Sequence, residues 1–138
     1  MITEDYVSFE IAKLLKEKGF SENTEHKIWY AIKQFSTGCH WNSCTYKVGD
    51  TTREYDNDCC IPMPTLQMAM KWLRKEHYCH IIIDYTFTAD ANLSEEYVSY
   101  CYNVENAKTY IQYTHNEWYN TYEEACELAI KYCLENLI

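Results

Sequence analysis

The hydropathy pattern along the chain predicts an α+β fold, a single domain over residues 1–138 with about three helices packed on one face of a mostly antiparallel sheet. Two patterns carry this reading. Apolar residues recur at helical spacing near the start, in the middle and at the end of the chain, whereas Cys79 to Phe87, Tyr97 to Val104 and Lys108 to Thr114 alternate at strand spacing. The link Glu105-Asn106-Ala107 between the last two of these runs is also short, which favours a hairpin over a crossover.

Taken in order, Thr3 is placed to cap a first helix. Its first turn carries Glu4 and Asp5, its stripe is Val7, Ile11 and Leu14, and its end is marked by Lys16, Lys18 and Gly19. From His26 to Phe35 both periods fit, since Ile28, Ile32 and Phe35 keep helical spacing while Ile28, Tyr30 and Ile32 keep strand spacing. The segment is read as a strand. Between Ser36 and Cys60, Gly38, Gly49 and the polar run 50–58 predict a short strand near Thr45 to Val48 followed by a loop. Pro64 and Thr65 open a second helix with the stripe Leu66, Ala69, Met70 and Leu73, flanked by Met68 and Trp72. In the strand that follows, Cys79, Ile81, Ile83, Tyr85 and Phe87 share one face and His80, Ile82, Asp84 and Thr86 the other. Thr121 with Glu124 forms a capping box for a last helix, whose stripe is Cys126, Ile130, Cys133 and Leu137.

Composition excludes several classes. A formal charge of −9, from 12 Lys plus Arg against 21 Asp plus Glu, opposes a nucleic-acid backbone or an anionic membrane surface. The apolar run Ile81-Ile82-Ile83 is far too short to span a bilayer, and the acidic start Thr3-Glu4-Asp5 is unlike a signal peptide, so a cytoplasmic location is expected. In that setting the 8 cysteines are expected as reduced thiols. No Gly-rich phosphate cradle and no nucleophile elbow occurs, and the loop acids Glu54, Asp56 and Asp58 read as solvated charge. A non-enzymatic protein without a cofactor is therefore expected.

The stretch GCHWNSC, Gly38 to Cys44, is the nearest thing to a metal signature. Cys39, His40, Cys44 and Cys59 would form the core of a zinc site, with Cys60, His77, Cys79 and His80 nearby in the chain. Their spacing departs from the two short pairs that zinc usually takes. Cys39 and Cys44 stand five positions apart, and Cys59 and Cys60 are adjacent. The stretch is read as a loop with incidental thiols, and no metal is assigned.

The strongest compositional deviation is aromatic, with 14 tyrosines and 4 tryptophans. Tyrosine fills strands without any ligand, and it also gives rigid contact area with a hydroxyl for specificity. If helices cover the face bearing Ile81, Ile83, Tyr100, Tyr102, Ile111 and Tyr113, the opposite face presents His80, Asp84, Tyr97, Ser99, Cys101, Tyr110 and Gln112. Of these, His80, Asp84, Tyr97, Tyr110 and Gln112 are the candidate binding residues.

Three blocks carry a resemblance: ITEDYVSFEIAKLLKEKGF at 2–20, PTLQMAMKWLR at 64–74 and TYEEACELAIKYCLENLI at 121–138. Together they resemble a family of short uncharacterised proteins encoded by gut bacteria and their phages or mobile elements. No function, cofactor or catalytic residue is assigned to that family. The resemblance implies a cytoplasmic context. With the segment Ser21 to Ile61 peculiar to this member and facing a partner, it also implies an accessory or counter-defence role.

These readings lead to an acidic protein-interaction module that binds a protein partner or a second copy of itself through the open sheet face or the Ser36 to Cys60 loop. Nucleic acid and membrane are excluded as partners. Two alternatives stand beside it: a small-molecule or nucleotide-signal binder, and a zinc-stabilised structural domain.

Overall fold

The computed structural model describes residues 2–21, 27–34, 38–45, 60–89 and 96–138, with the backbone alone described at 27–34, 38–45, 60, 88–89 and 96. The fold is α+β, with three helices and antiparallel sheets among the described residues, and the chain divides into two compact units, Met1–Thr65 and Leu66–Ile138.

In the first unit, helix α1 spans Phe9–Glu17. It starts later than the Thr3 cap predicts. Residues 2–7 are not helical, Tyr6 bridges Thr65, and the Val7 N–H donates to the Pro64 carbonyl at 3.0 Å. That pairing satisfies backbone groups which a helix starting at Thr3 would have claimed. Ser8 takes over as the cap, its hydroxyl accepting from the Ile11 N–H at 3.4 Å. The predicted end is correct and has a clear cause. Gly19 sits at φ +96°, its N–H donates to the Lys16 carbonyl and the Phe20 N–H to that of Leu15, a Schellman closure.

Strands β1 (Lys27–Gln34), β2 (Gly38–Thr45) and β3 (Cys60–Pro62) form an antiparallel sheet in the order β2-β1-β3. The strand reading of His26 to Phe35 matches β1. The loop reading of GCHWNSC does not survive, because all seven residues lie in β2, paired with β1 from Lys27 opposite Thr45 to Gln34 opposite Gly38. Gly38, Gly49 and the polar run 50–58 suggested a loop locally. The cross-strand ladder, which no local pattern reports, overrides them. The strand expected near Thr45 to Val48 meets β2 at Thr45, and residues 46–59, Cys59 among them, lie outside the described residues.

The second unit comprises α2 (Leu66–His77), β4 (Cys79–Ala89), β5 (Glu96–Asn106), β6 (Gln112–Thr114) and α3 (Tyr122–Asn136). The strands are antiparallel in the order β4-β5-β6. Leu66, Ala69, Met70, Trp72 and Leu73 of α2 are buried. Thr121 caps α3 as expected, its Oγ1 accepting from the Glu124 N–H at 3.1 Å, and Cys126, Ile130 and Cys133 are fully buried. Among the described residues no helix is long and apolar enough to cross a membrane.

Candidate binding face of the second sheet

Alternation along β4 and β5 divides the second sheet into two unlike faces. Paired residues share a face, so Cys79, Ile81 and Ile83 lie with Asn106, Val104 and Tyr102, while His80, Ile82 and Asp84 lie with Glu105, Asn103 and Cys101.

The first of these faces is covered only towards its Cys79 end, and further along it Tyr85, Phe87 and Val98 are exposed. Cys79, Tyr102 and Val104 are buried, and α3 supplies Tyr132 and Tyr122, whose rings lie 6.4 Å from Tyr102 and 6.2 Å from Tyr100. The His115 ring fits between Tyr102 at 4.4 Å and Tyr132 at 4.3 Å. Burial, with the neighbouring Tyr119 adding to it, pushes the Tyr102 phenol up to about 12. Tyr102 is therefore core and Tyr100 half-buried, on the side where the sequence placed them, whereas Tyr85 on the same face is exposed. Ile111 was placed there too, but β6 is shorter than expected, and Ile111 lies outside it, exposed.

The other face is open. Its rows run straight across the strands: His80, Glu105 and Gln112, then Ile82, Asn103 and Thr114, then Asp84 and Cys101. Two side-chain hydrogen bonds tie the rows, Gln112 Nε2 donating to Glu105 Oε1 at 3.0 Å and Asn103 Nδ2 to Asp84 Oδ2 at 3.1 Å. His80, Asp84 and Gln112 are exposed, and Tyr97 is 54% exposed opposite Thr88. Cys101 departs from expectation, being only 7% exposed although it belongs to this face. Burial first, and then the Asp84 charge beside it, push its thiol up and hold it protonated.

Tyr110 also departs from its expected strand position. β5 runs on to Asn106, and the turn follows it, with Asn106 Oδ1 accepting from the backbone N–H groups of Lys108 and Thr109 at 2.9 and 3.0 Å. Tyr110 closes that turn at φ 60°, a left-handed conformation unusual for a large residue, which leaves its ring 90% exposed. There it walls a groove of about 480 Å³ together with His80, Ile82, Glu105, Asn106 and Gln112. Three of the five predicted binding residues thus meet in one groove. Asp84 stands four positions further along β4, and Tyr97 lies opposite Thr88, eight positions from His80, about 26 Å at the rise of a strand.

Glu105 was missed by the sequence reading, which placed it in the hairpin link. Its alternation with Asn103 and Cys101 is the signal that assigns it to the open face. The sequences of β4, β5 and β6 contain no Lys or Arg, whereas Asp84, Glu96 and Glu105 are acidic.

Of the minority metal set, Cys59 and the side chains of Cys39, His40 and Cys44 lie outside the described residues. Cys39 and Cys44 are residues of one regular strand, five positions or about 16 Å apart along it, whereas zinc–sulfur bonds are about 2.3 Å. Among the described residues no group of three or more His, Cys, Asp or Glu is placed to hold an ion. Comparison of the chain with models of protein families, with curated proteins and with solved structures gives no match.

Proposed function

We propose that this chain is a non-enzymatic protein-interaction module whose open β4–β5–β6 face docks a basic protein partner. The observation that carries the reading is the charge of that face: three strands without a Lys or Arg, presenting Asp84 and Glu105 beside exposed tyrosine. A partner bearing cations would meet complementary charge, with tyrosine supplying contact area, and the association would weaken as salt rises. The length of the face supports a macromolecule over a small ligand, since Tyr97 and the Tyr110 groove stand too far apart for one small molecule to touch both. A nucleotide finds little support in the groove, whose lining has no Lys or Arg for phosphate. In the setting that the family resemblance implies, the module is a cytoplasmic accessory or counter-defence protein of a phage or mobile element.

The test is native mass spectrometry of the protein isolated gently from its host, followed by titration of any recovered partner with the wild type and with a Tyr97→Ala/Tyr110→Ala variant. A basic polypeptide lost on substitution supports the proposal. A dimer points to self-association, and a bound mass of nucleotide size or a metal ion would replace the proposal with one of the alternatives.

A further inference from the structure

The two edges of the second sheet are unlike. At one edge β6 is a strand of three residues, and Tyr119 follows it along the same side of β5, where Tyr100 and Tyr119 exchange both backbone hydrogen bonds at 2.8 and 2.6 Å. At the other edge β4 runs for 11 residues, paired with β5 from Cys79 to Ala89 without a bulge. Its sequence CHIIIDYTFTA has no Lys, Arg or Pro, the residues that commonly blunt an edge strand. Two observations show which groups line this edge. Tyr85 stands opposite Tyr100, whose bonds go to Tyr119, and the Tyr78 carbonyl accepts from the Ala107 N–H at 2.9 Å. By antiparallel alternation, the N–H and carbonyl groups of Cys79, Ile81, Ile83, Tyr85 and Phe87 therefore point away from β5. Among the described residues no strand pairs with them.

We propose that this edge pairs with a second copy of the chain, β4 running antiparallel to β4 in a register centred on Ile82. The strand is complementary to itself in that register. A twofold axis relating two antiparallel edge strands stands perpendicular to the sheet, so residues of like face meet across it. With Ile82 on the axis, His80 lies opposite Asp84 of the second copy and Asp84 opposite its His80, while Ile81 lies opposite its Ile83. Both His–Asp pairs fall at non-hydrogen-bonded positions, where opposing side chains come closest. Asn103 holds Oδ2 of Asp84 at 3.1 Å, which leaves Oδ1 to accept from the imidazole N–H. Neighbouring registers lack this match. Centring on Ile83 sets Asp84 against Ile82, and centring on Asp84 sets the two carboxylates against each other. The pairing also brings Tyr85, 67% exposed in one copy, beside the buried Cys79 of the other. The open faces of the two copies become continuous, so they stay accessible to the basic partner proposed above.

Sedimentation equilibrium of the purified full chain with reductant, over a range of concentrations and with no partner added, tests this apart from the docking reading. A reversible dimer of twice 16.5 kDa is expected. Tyr85→Pro removes an edge-facing N–H and no bond to β5, and should give a monomer whose circular dichroism matches the wild type. His80→Asp, at an exposed position, sets like charges opposite each other twice and should raise the dimer dissociation constant by roughly tenfold or more. That variant decides the matter if Tyr85→Pro fails to fold. For the register, Ile82→Cys should give on mild oxidation a disulfide joining position 82 of the two copies, a peptide mass that dithiothreitol removes. A wild type that stays monomeric, a dimer that His80→Asp leaves as tight as before, or a link from position 82 to any other position of the second copy overturns the proposal.

Discussion

His80 and Glu105 stand directly opposite each other across the β4–β5 ladder, and Glu105 accepts a hydrogen bond from Gln112 on the far side, so one row of polar side chains crosses all three strands. The row holds the carboxylate at the centre of the groove with one oxygen occupied by the amide. Replacing Glu105 by Gln keeps the shape and removes the charge. For the proposed basic partner, affinity should fall by about 1.5–3 kcal/mol if the carboxylate bonds a cation, and the salt dependence of binding should flatten. Calorimetric titration at two ionic strengths measures both, and an unchanged salt dependence would move the electrostatic contact away from this row.

Tyr97→Ala and Tyr110→Ala should leave the fold intact, because each ring is more than half exposed. The first removes a strand former and costs about 1 kcal/mol or less. The second leaves a non-glycine residue at the same positive φ, so the backbone strain is unchanged. Circular dichroism with urea unfolding checks stability, and loss of partner binding checks the face. Unfolding of the double variant would mean that these rings are structural.

Much of the second unit was legible because its signals are local. The capping box at Thr121 and Glu124, the stripe of α2 and the alternation of Cys79 to Phe87 each need only a few neighbouring residues to be read. The misreadings share the opposite cause. Thr3 looks like a cap until the chain before α1 pairs with Pro64 and Thr65, and GCHWNSC looks like a loop until β1 lies beside it. Both depend on segments distant in the chain. The open face was found by alternation alone, but Tyr110 and Glu105 were misplaced because the turn falls a few residues later than the polar run suggested.

Capping supplies a direct check on the first unit. Ser8→Ala should cost about 1 kcal/mol by leaving the Ile11 N–H without its acceptor, whereas Thr3→Ala, at an exposed non-helical position, should cost nothing measurable. Gly19→Ala should cost about 1 kcal/mol for a different reason. Nothing lies within 4 Å of the added Cβ, so the loss comes from φ +96° alone. Equal effects of Ser8→Ala and Thr3→Ala in denaturant unfolding would argue for a helix starting near Thr3.

Core substitutions should separate two residues that the sequence made equivalent. Leu73 is fully buried, and Leu73→Ala should cost about 2–5 kcal/mol in transfer energy and residual cavity. Ile83 is only half-buried, and Ile83→Ala should cost about 1–2 kcal/mol, since less of its side chain leaves water on folding. Urea unfolding of the two variants orders them, and a larger loss at Ile83 would contradict the exposure of the outer part of β4.

Cys126 and Tyr102 are two of the buried acids that weaken the fold at alkaline pH, beside Cys101, Cys133, Tyr119 and Tyr122, which burial also pushes up. Burial pushes the Cys126 thiol from an ordinary value of 9.0 to about 11, and burial with Tyr119 pushes the Tyr102 phenol from 10.0 to about 12. In each case the folded state retains a proton that the unfolded chain releases, so these groups do not oppose folding below pH 9. Stability then falls as pH rises, from about 9 to 11 for Cys126 and from about 10 to 12 for Tyr102. Urea unfolding from about pH 8 upward should show this decline. Cys126→Ala should lessen its earlier part, and Tyr102→Phe, which keeps the ring, its later part. A decline that survives both substitutions unchanged would assign the alkaline limit to other groups.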